Sequence, residues 1–302
     1  MNTSVPYRSL GRSEEKVSVI GIGGAHLGMA DEKTAIAIVR TAIDNGITFM
    51  DNSWDYGEGR SEELMGKALR DGYRQKAFLM TKFDGHDRAT AEKQVDESLR
   101  RLRTDYLDVL QLHEVIRPTD PEEVFEPGGS MELLLDLKKS GKVRYIGFTG
   151  HKSPDIHLAM LKTAVEHDVT FDTVQMPLSA IDYHYESFEK KALPACIDLG
   201  IGVLGMKSMA FGEIPRNGVL SAMECLRYTM SLPVSTVITG CESLERVEQA
   251  LEAARTFQPL TDEEKDDILH RTRPYAGKLE RFKTGDMFDA TGRNPHYLKT
   301  GD

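Results

Sequence analysis

Four residues near the ends of short apolar runs have side chains that together could move a proton: Asp51, Tyr56, Lys82 and His113. Asp51 follows the run Ile47-Thr48-Phe49-Met50 and opens the stretch DNSWDYGEGRSEELMGKAL, which carries Tyr56 five residues later. Lys82 ends the run FLMTK, and His113 ends VLQLH. A tyrosine with the usual pKa of about 10 is a reluctant acid or base at neutral pH unless a nearby cation stabilises its phenolate. Lys82 can supply that cation, Asp51 can hold the lysine charged and oriented, and His113 can hydrogen-bond a substrate oxygen. Such a set would donate a proton to a carbonyl oxygen. Each residue also has an ordinary explanation: a turn acid, a snorkelling lysine, a satisfied buried histidine, a packing aromatic. Their arrival at three successive strand ends favours the chemical reading.

The elements that would position them form a regular alternation. Short apolar, strand-like runs occur at Val17–Ile22, Ile47–Met50, Ala77–Thr81, Leu107–Leu112, Val143–Phe148, Thr173–Met176, Ile201–Gly205 and Val234–Ile238. Between them, helical spacing predicts helices over Lys33–Asp44, Ser61–Leu69, Ala91–Leu102, Met131–Lys139, Pro154–Glu166, Glu186–Asp198, Val219–Met230 and Leu244–Ala254. Gly46, Gly141, Gly200 and Gly202 fall where helices stop, while Ser61 and Ser153-Pro154 read as helix starts. A strand about every thirty residues, eight times over, predicts an α/β fold, the closed (β/α)8 TIM barrel, with its active site at the C-terminal strand ends. Pro6-Tyr7-Arg8 and Lys16-Val17-Ser18 around Gly11 predict a small hairpin closing the barrel bottom. Residues 1–302 are expected to form a single domain, with a polar C-terminal cap over about 259–302.

The chain has 302 residues, 40% hydrophobic and 28% charged, as expected of a globular protein with one large core. Its net charge of -10 argues against nucleic acid or an anionic membrane as the main partner, since both need a basic face. Cys196, Cys225 and Cys241 are too few and too scattered for a disulfide framework or a metal knuckle, and predict a reducing, cytoplasmic setting. No apolar run approaches the roughly 18 residues of a membrane span, and the N-terminus lacks a secretory core. The segment GIGGAHLG starts a dinucleotide fingerprint at Gly21 and Gly23, but His26 stands where the third glycine belongs. Neither HxH nor HExxH occurs, so no metal is expected.

The stretch DNSWDYGEGRSEELMGKAL, with the TK and LH strand ends, resembles the aldo-keto reductase family. The similarity continues through GKVRYIGFTGH, VQMPLSAID and VITGCESLERVEQAL, in the same order along nearly the whole chain. The resemblance implies a carbonyl–alcohol oxidoreductase acting on a small molecule, with Tyr56 as general acid/base, Asp51 and Lys82 tuning it, and His113 orienting the carbonyl. It implies a nicotinamide held by Gln175 and by Thr149-Gly150, which stand where the family carries a Ser-Asn pair. Met206 would pack on the nicotinamide ring and Lys207 approach a phosphate, beside Ser208 and Met209. Gly24, Ala25, Asp51 and Gln249 complete the expected cofactor positions. Gly240 and Ser243, at a helix start, form a cradle for phosphate. Arg246 matches the family's arginine near the adenosine ribose, whereas the family's common lysine corresponds to Gly240 and its terminal asparagine to Ala250. NADP(H) is favoured on this basis, with NAD(H) also admitted. His26, Trp54, His151 and His296 are the candidates to face substrate. The family also includes barrels that bind nucleotide as regulatory or sensing subunits with little turnover. The segment GDMFDATGRNPHYLKTG, whose Met287, Phe288, His296 and Tyr297 stand among small polar residues, is expected to close over the substrate.

Overall fold

In the computed structural model, which describes residues 4–284, the chain begins with the expected hairpin. Strand β1 (Tyr7–Ser9) pairs antiparallel with β2 (Lys16–Ser18). Gly11 in its turn has φ +55°, and a Cβ there would lie 2.4 Å from the Gly202 nitrogen, so only glycine lets the turn sit this close under the barrel. The run Val17–Ile22 is therefore not one strand. It breaks at Val19 because the Ser18 hydroxyl donates to the Ile20 carbonyl and accepts from the amides of Thr48 and Phe49.

The chain then alternates as predicted: β3 (Ile20–Gly23), α1 (Glu32–Asp44), β4 (Phe49–Asp51), α2 (Arg60–Ala68), β5 (Phe78–Phe83), α3 (Arg88–Leu102) and β6 (Leu107–Leu112). A short helix α4 (Asp120–Glu123) precedes α5 (Ser130–Lys139), β7 (Val143–Thr149), α6 (Pro154–Glu166), β8 (Thr173–Pro177), α7 (Ala192–Asp198) and β9 (Gly202–Met206). After α8 (Glu213–Arg216) come α9 (Ala222–Ser231), β10 (Thr236–Gly240), α10 (Leu244–Arg255), α11 (Asp262–Thr272) and α12 (Arg281–Thr284). Strands β3 to β10 close into one parallel barrel, with β10 paired to β3.

Four helix starts differ from the sequence expectation, each for a local reason. The helix expected from Ala91 begins at Arg88, because the Asp87 carboxylate accepts from the Thr90 amide and caps it there. Ser61 does not cap α2. Gly59 does, at φ +88°, where a Cβ would strike the Arg101 guanidinium, and the Ser61 hydroxyl donates to the Gly24 carbonyl instead. The helix expected from Glu186 begins only at Ala192, because Asp182 accepts from the Phe188 and Glu189 amides and draws that segment into a turn. The one expected from Val219 begins at Ala222, where Ser221 and Glu224 form a reciprocal capping box. The region beyond Pro259 contains α11, a helix the polar composition concealed; Thr261 and Glu264 cap it. It packs through Lys265 to Glu189 at 3.0 Å and Thr272 to the Ala180 carbonyl at 3.2 Å, beside the loop after β8.

Inward and outward positions alternate along each strand. Phe49, Phe78, Met80, Val109, Leu204 and Ile238 point into the barrel and pack with Leu10 and Val17 of the hairpin, which stopper its lower end. Met50, Leu79, Leu110 and Val174 point outward into the larger core beneath the helices. The period of two decides what stands above the apolar layers. Two residues beyond Phe49 is Asp51; two beyond Met80 is Lys82; two beyond Val109 is Gln111, then His113.

Candidate functional site

The polar residues at these strand ends meet. Lys82 Nζ contacts Asp51 Oδ1, donates to the Asn52 carbonyl at 2.7 Å, and lies 3.4 Å from Tyr56 Oη. The other Asp51 oxygen accepts from Gln175 Nε2 at 3.2 Å, so a residue from β8 across the barrel helps hold the acid. Lys82 and Asp51 are 1% and 3% exposed, which leaves water little part in their pairing. Tyr56 reaches the lysine because its loop first continues alongside β5: the Asn52 amide donates to the Met80 carbonyl and the Trp54 amide to the Lys82 carbonyl, both at 2.9 Å. Three successive positive-φ residues, Gly57, Glu58 and Gly59, then turn the chain into α2.

His113 stands edge-on to Tyr56, with ring centroids 5.7 Å apart. Its Nδ1 donates to Asp84 Oδ1 at 2.8 Å, with Ser53 Oγ at 3.2 Å and Asp55 Oδ1 at 3.6 Å. Burial alone would depress this imidazole, but the Asp55 charge and the hydrogen bond and charge of Asp84 outweigh it and raise its pKa to about 9. His113 is therefore a cation at neutral pH. Tyr56 departs from expectation in the other direction. Its pKa lies well above 10, because burial and then the charges of Asp51 and Asp55 penalise the phenolate. Lys82 does not reverse this, since Asp51 already takes up its charge. Tyr56 in the protein alone is a phenol, and so a proton donor.

These groups open onto a cavity of about 870 Å³ at the C-terminal end of the barrel. Asp51, Tyr56, Lys82 and His113 line it, as do Ala25, Thr149, Gln175, Met206, Lys207, Ser208 and Met209 among the expected cofactor positions. Gly240, Arg246 and Gln249 line its other end. Gly24, Gly150 and Ser243 do not. A Cβ on Gly24 would abut Asn52 and one on Gly150 the Val115 carbonyl, while Ser243 accepts from the Arg246 amide as the cap of α10. Of the residues expected near substrate, His26 and His151 line the cavity. Trp54 does not; its indole N–H donates to Glu97 at 2.7 Å, toward α3. His296 and the rest of the expected closing segment lie outside the described residues.

Sequence reasoning missed Asp55, Asp84, Glu114 and Glu242. Asp84 was detectable: it lies two residues beyond Lys82, just past the end of β5, where the strand's period of two continues to the same side. Lys207 sits over the rings of Phe211 and Phe282, at 4.3 and 5.2 Å. Burial lowers its pKa to about 8, Glu114 opposing and Lys82 assisting. His151, edge-on to Phe282, is held well below the usual imidazole range by burial and then by Lys207, and is neutral.

Thr149 Oγ1 and Gln175 Oε1 are buried, belong to residues lining the cavity, and have no hydrogen-bond partner among the described residues. Buried polar atoms left unpaired cost stability, and here they offer matching partners for a carboxamide such as that of nicotinamide. The residues present fit that group.

A closed parallel barrel whose polar strand ends share one cavity belongs to the (β/α)8 enzymes. Within that class the chain belongs to the aldo/keto reductase family, whose profile matches residues 19–222. It is similar to L-galactose dehydrogenase of Arabidopsis thaliana, 30% identical over 85% of this chain and 91% of that one. Aldo-keto reductase AFTS1 of Alternaria alternata is 28% identical, over 82% and 87% of the two chains. Among solved structures, the holo form of aldo-keto reductase AKR11C1 from Bacillus halodurans superposes with a TM-score of 0.75 at 25% identity, covering 92% of this chain and 99% of that one. The protein is an oxidoreductase of the NAD(P)(H)-dependent carbonyl–alcohol type.

Proposed function

We propose that Tyr56 is the general acid/base of this oxidoreduction, and that the observation carrying the reading is the position of Lys82 Nζ, in contact with Asp51 and 3.4 Å from Tyr56 Oη. When bound, the nicotinamide supplies or accepts the hydride at the carbonyl carbon. Tyr56 gives its proton to the carbonyl oxygen in the reductive direction and takes one back in the oxidative direction. Lys82 stands beside the nascent phenolate and offsets the carboxylates that otherwise penalise it. Asp51, braced by Gln175, keeps Lys82 in place. His113, fixed through Nδ1 by Asp84 and lining the cavity, orients the carbonyl. Thr149 and Gln175 would hold the carboxamide of a bound nicotinamide. Assembly of all four groups around one cavity favours turnover over a purely regulatory nucleotide-binding role.

Arg246 supports the NADP(H) preference expected from the sequence, and Glu242, 3.6 Å away, opposes it. Cytoplasmic residence is supported by Cys196, Cys225 and Cys241, all buried free thiols. The packing of α11 against the loop after β8 supports the reading of the C-terminal region as a cap on a single domain.

The decisive variant is Tyr56→Phe, assayed for turnover of a panel of small carbonyls and, by fluorescence titration, for nucleotide binding. Turnover is expected to fall by roughly 10²- to 10⁴-fold while nucleotide affinity is retained. Near-wild-type turnover would refute the assignment.

A further inference from the structure

The end of the cavity formed by β10 and α10 carries a charge arrangement that bears on which dinucleotide is accepted. Thr149 and Gln175 mark the nicotinamide end beside Tyr56, so the adenosine end falls among Gly240, Glu242, Arg246 and Gln249. Arg246 is the cation there that would meet a 2′-phosphate. Its guanidinium lies 3.6 Å from the Glu242 carboxylate, and its Nη1 donates to Gln249 at 3.3 Å. Position 240 cannot add a second cation. A Cβ on Gly240 would stand 2.1 Å from His26 Nδ1, so the imidazole occupies the space where a side chain would begin. Arg216, the other arginine of the cavity, is paired with Glu213.

A 2′-phosphate would bring a further charge of about -1.5 to -2 to a lobe where Glu242 offsets Arg246. Both groups are half-exposed, and such pairs are weak, so Arg246 can swing toward a phosphate. Glu242 remains behind when it does. An ionised carboxylate only accepts hydrogen bonds, which suits the two hydroxyls of an unphosphorylated ribose and repels a phosphate. We propose that Glu242 is the residue that sets nucleotide specificity, selecting the ribose diol and hence NAD(H) over NADP(H). The proposal rests on the reading of this cavity as a dinucleotide site, and it reverses the preference expected from Arg246 alone.

The test is equilibrium titration of wild type and of Glu242→Gln with NADH and NADPH, by fluorescence or calorimetry, at low and high salt. Wild type is expected to bind NADH the tighter. Glu242→Gln removes one charge while keeping an acceptor, and should tighten NADPH by about tenfold with NADH changed less than about threefold. That gain should shrink as salt screens the carboxylate, which loss of a merely structural contact would not cause. Glu242→Arg, a second variant at this half-exposed position, should carry the preference over to NADPH. Tighter binding of NADPH by wild type, or an unchanged ratio in Glu242→Gln, overturns the proposal and leaves the cavity reading intact. Binding of neither nucleotide overturns both.

Discussion

Replacing Asp84 with asparagine tests the electrostatics that hold His113. The imidazole gives up the Asp84 hydrogen bond and charge but keeps Asp55 at 3.6 Å and Ser53 at 3.2 Å. Raising the pKa from 6.5 to about 9 is equivalent, at about 1.4 kcal/mol per tenfold, to a few kcal/mol favouring the charged form in the folded state. Asp55, Asp84 and Glu114 together produce that effect against the opposing cost of burial, and Asp84 acts through both its hydrogen bond and its charge, so Asp84→Asn should remove a large part of it, on the order of 2 kcal/mol. The sign follows from a folded pKa raised above the unfolded one. The stabilisation is fully present below pH 6.5 and is lost as pH rises through about 9. Urea unfolding of wild type and variant at pH 6, 7.5 and 9.5 should therefore show a stability gap widest at pH 6 and nearly closed at the highest pH. A gap that stays constant or widens with pH would refute the claim that His113 is a cation held by these acids.

Two further outcomes bear on the site and its surroundings. Lys82→Met strands Asp51, 3% exposed, without its cation, and should cost about 3–5 kcal/mol in chemical denaturation as well as turnover; the double variant with Asp51→Asn should recover much of that stability, and failure to do so would show the pair is not what holds the site. Deleting residues from Gly285 onward should raise KM or lower kcat for the best substrate while nucleotide affinity and Tm change little; unaltered kinetics would mean the segment does not close over the substrate.

The sequence by itself determined the architecture. Eight apolar runs separated by amphipathic segments admit few arrangements, and seven of the eight barrel strands have both ends within two residues of the expected runs; the eighth, β3, begins three residues late because Val17–Ile22 is divided between the hairpin and the barrel. The catalytic candidates were legible for the same reason: strand ends in a parallel barrel share a rim, so Asp51, Lys82 and His113 were identifiable from position alone. What only the tertiary structure decided is how those groups affect one another. Asp84 and Asp55 raise His113 to about 9, and Asp51 takes up the charge of Lys82, leaving Tyr56 a phenol rather than a ready phenolate. Trp54 turned toward Glu97 on α3, Asp182 drew the segment before α7 out of a helix, and Glu242 came to face Arg246. Secondary structure follows from local periodicity and capping, which a linear chain displays. Charge pairing and burial depend on groups that strand order and loop closure bring within a few ångströms, and on the water excluded between them, and neither is written in the spacing of residues along the chain.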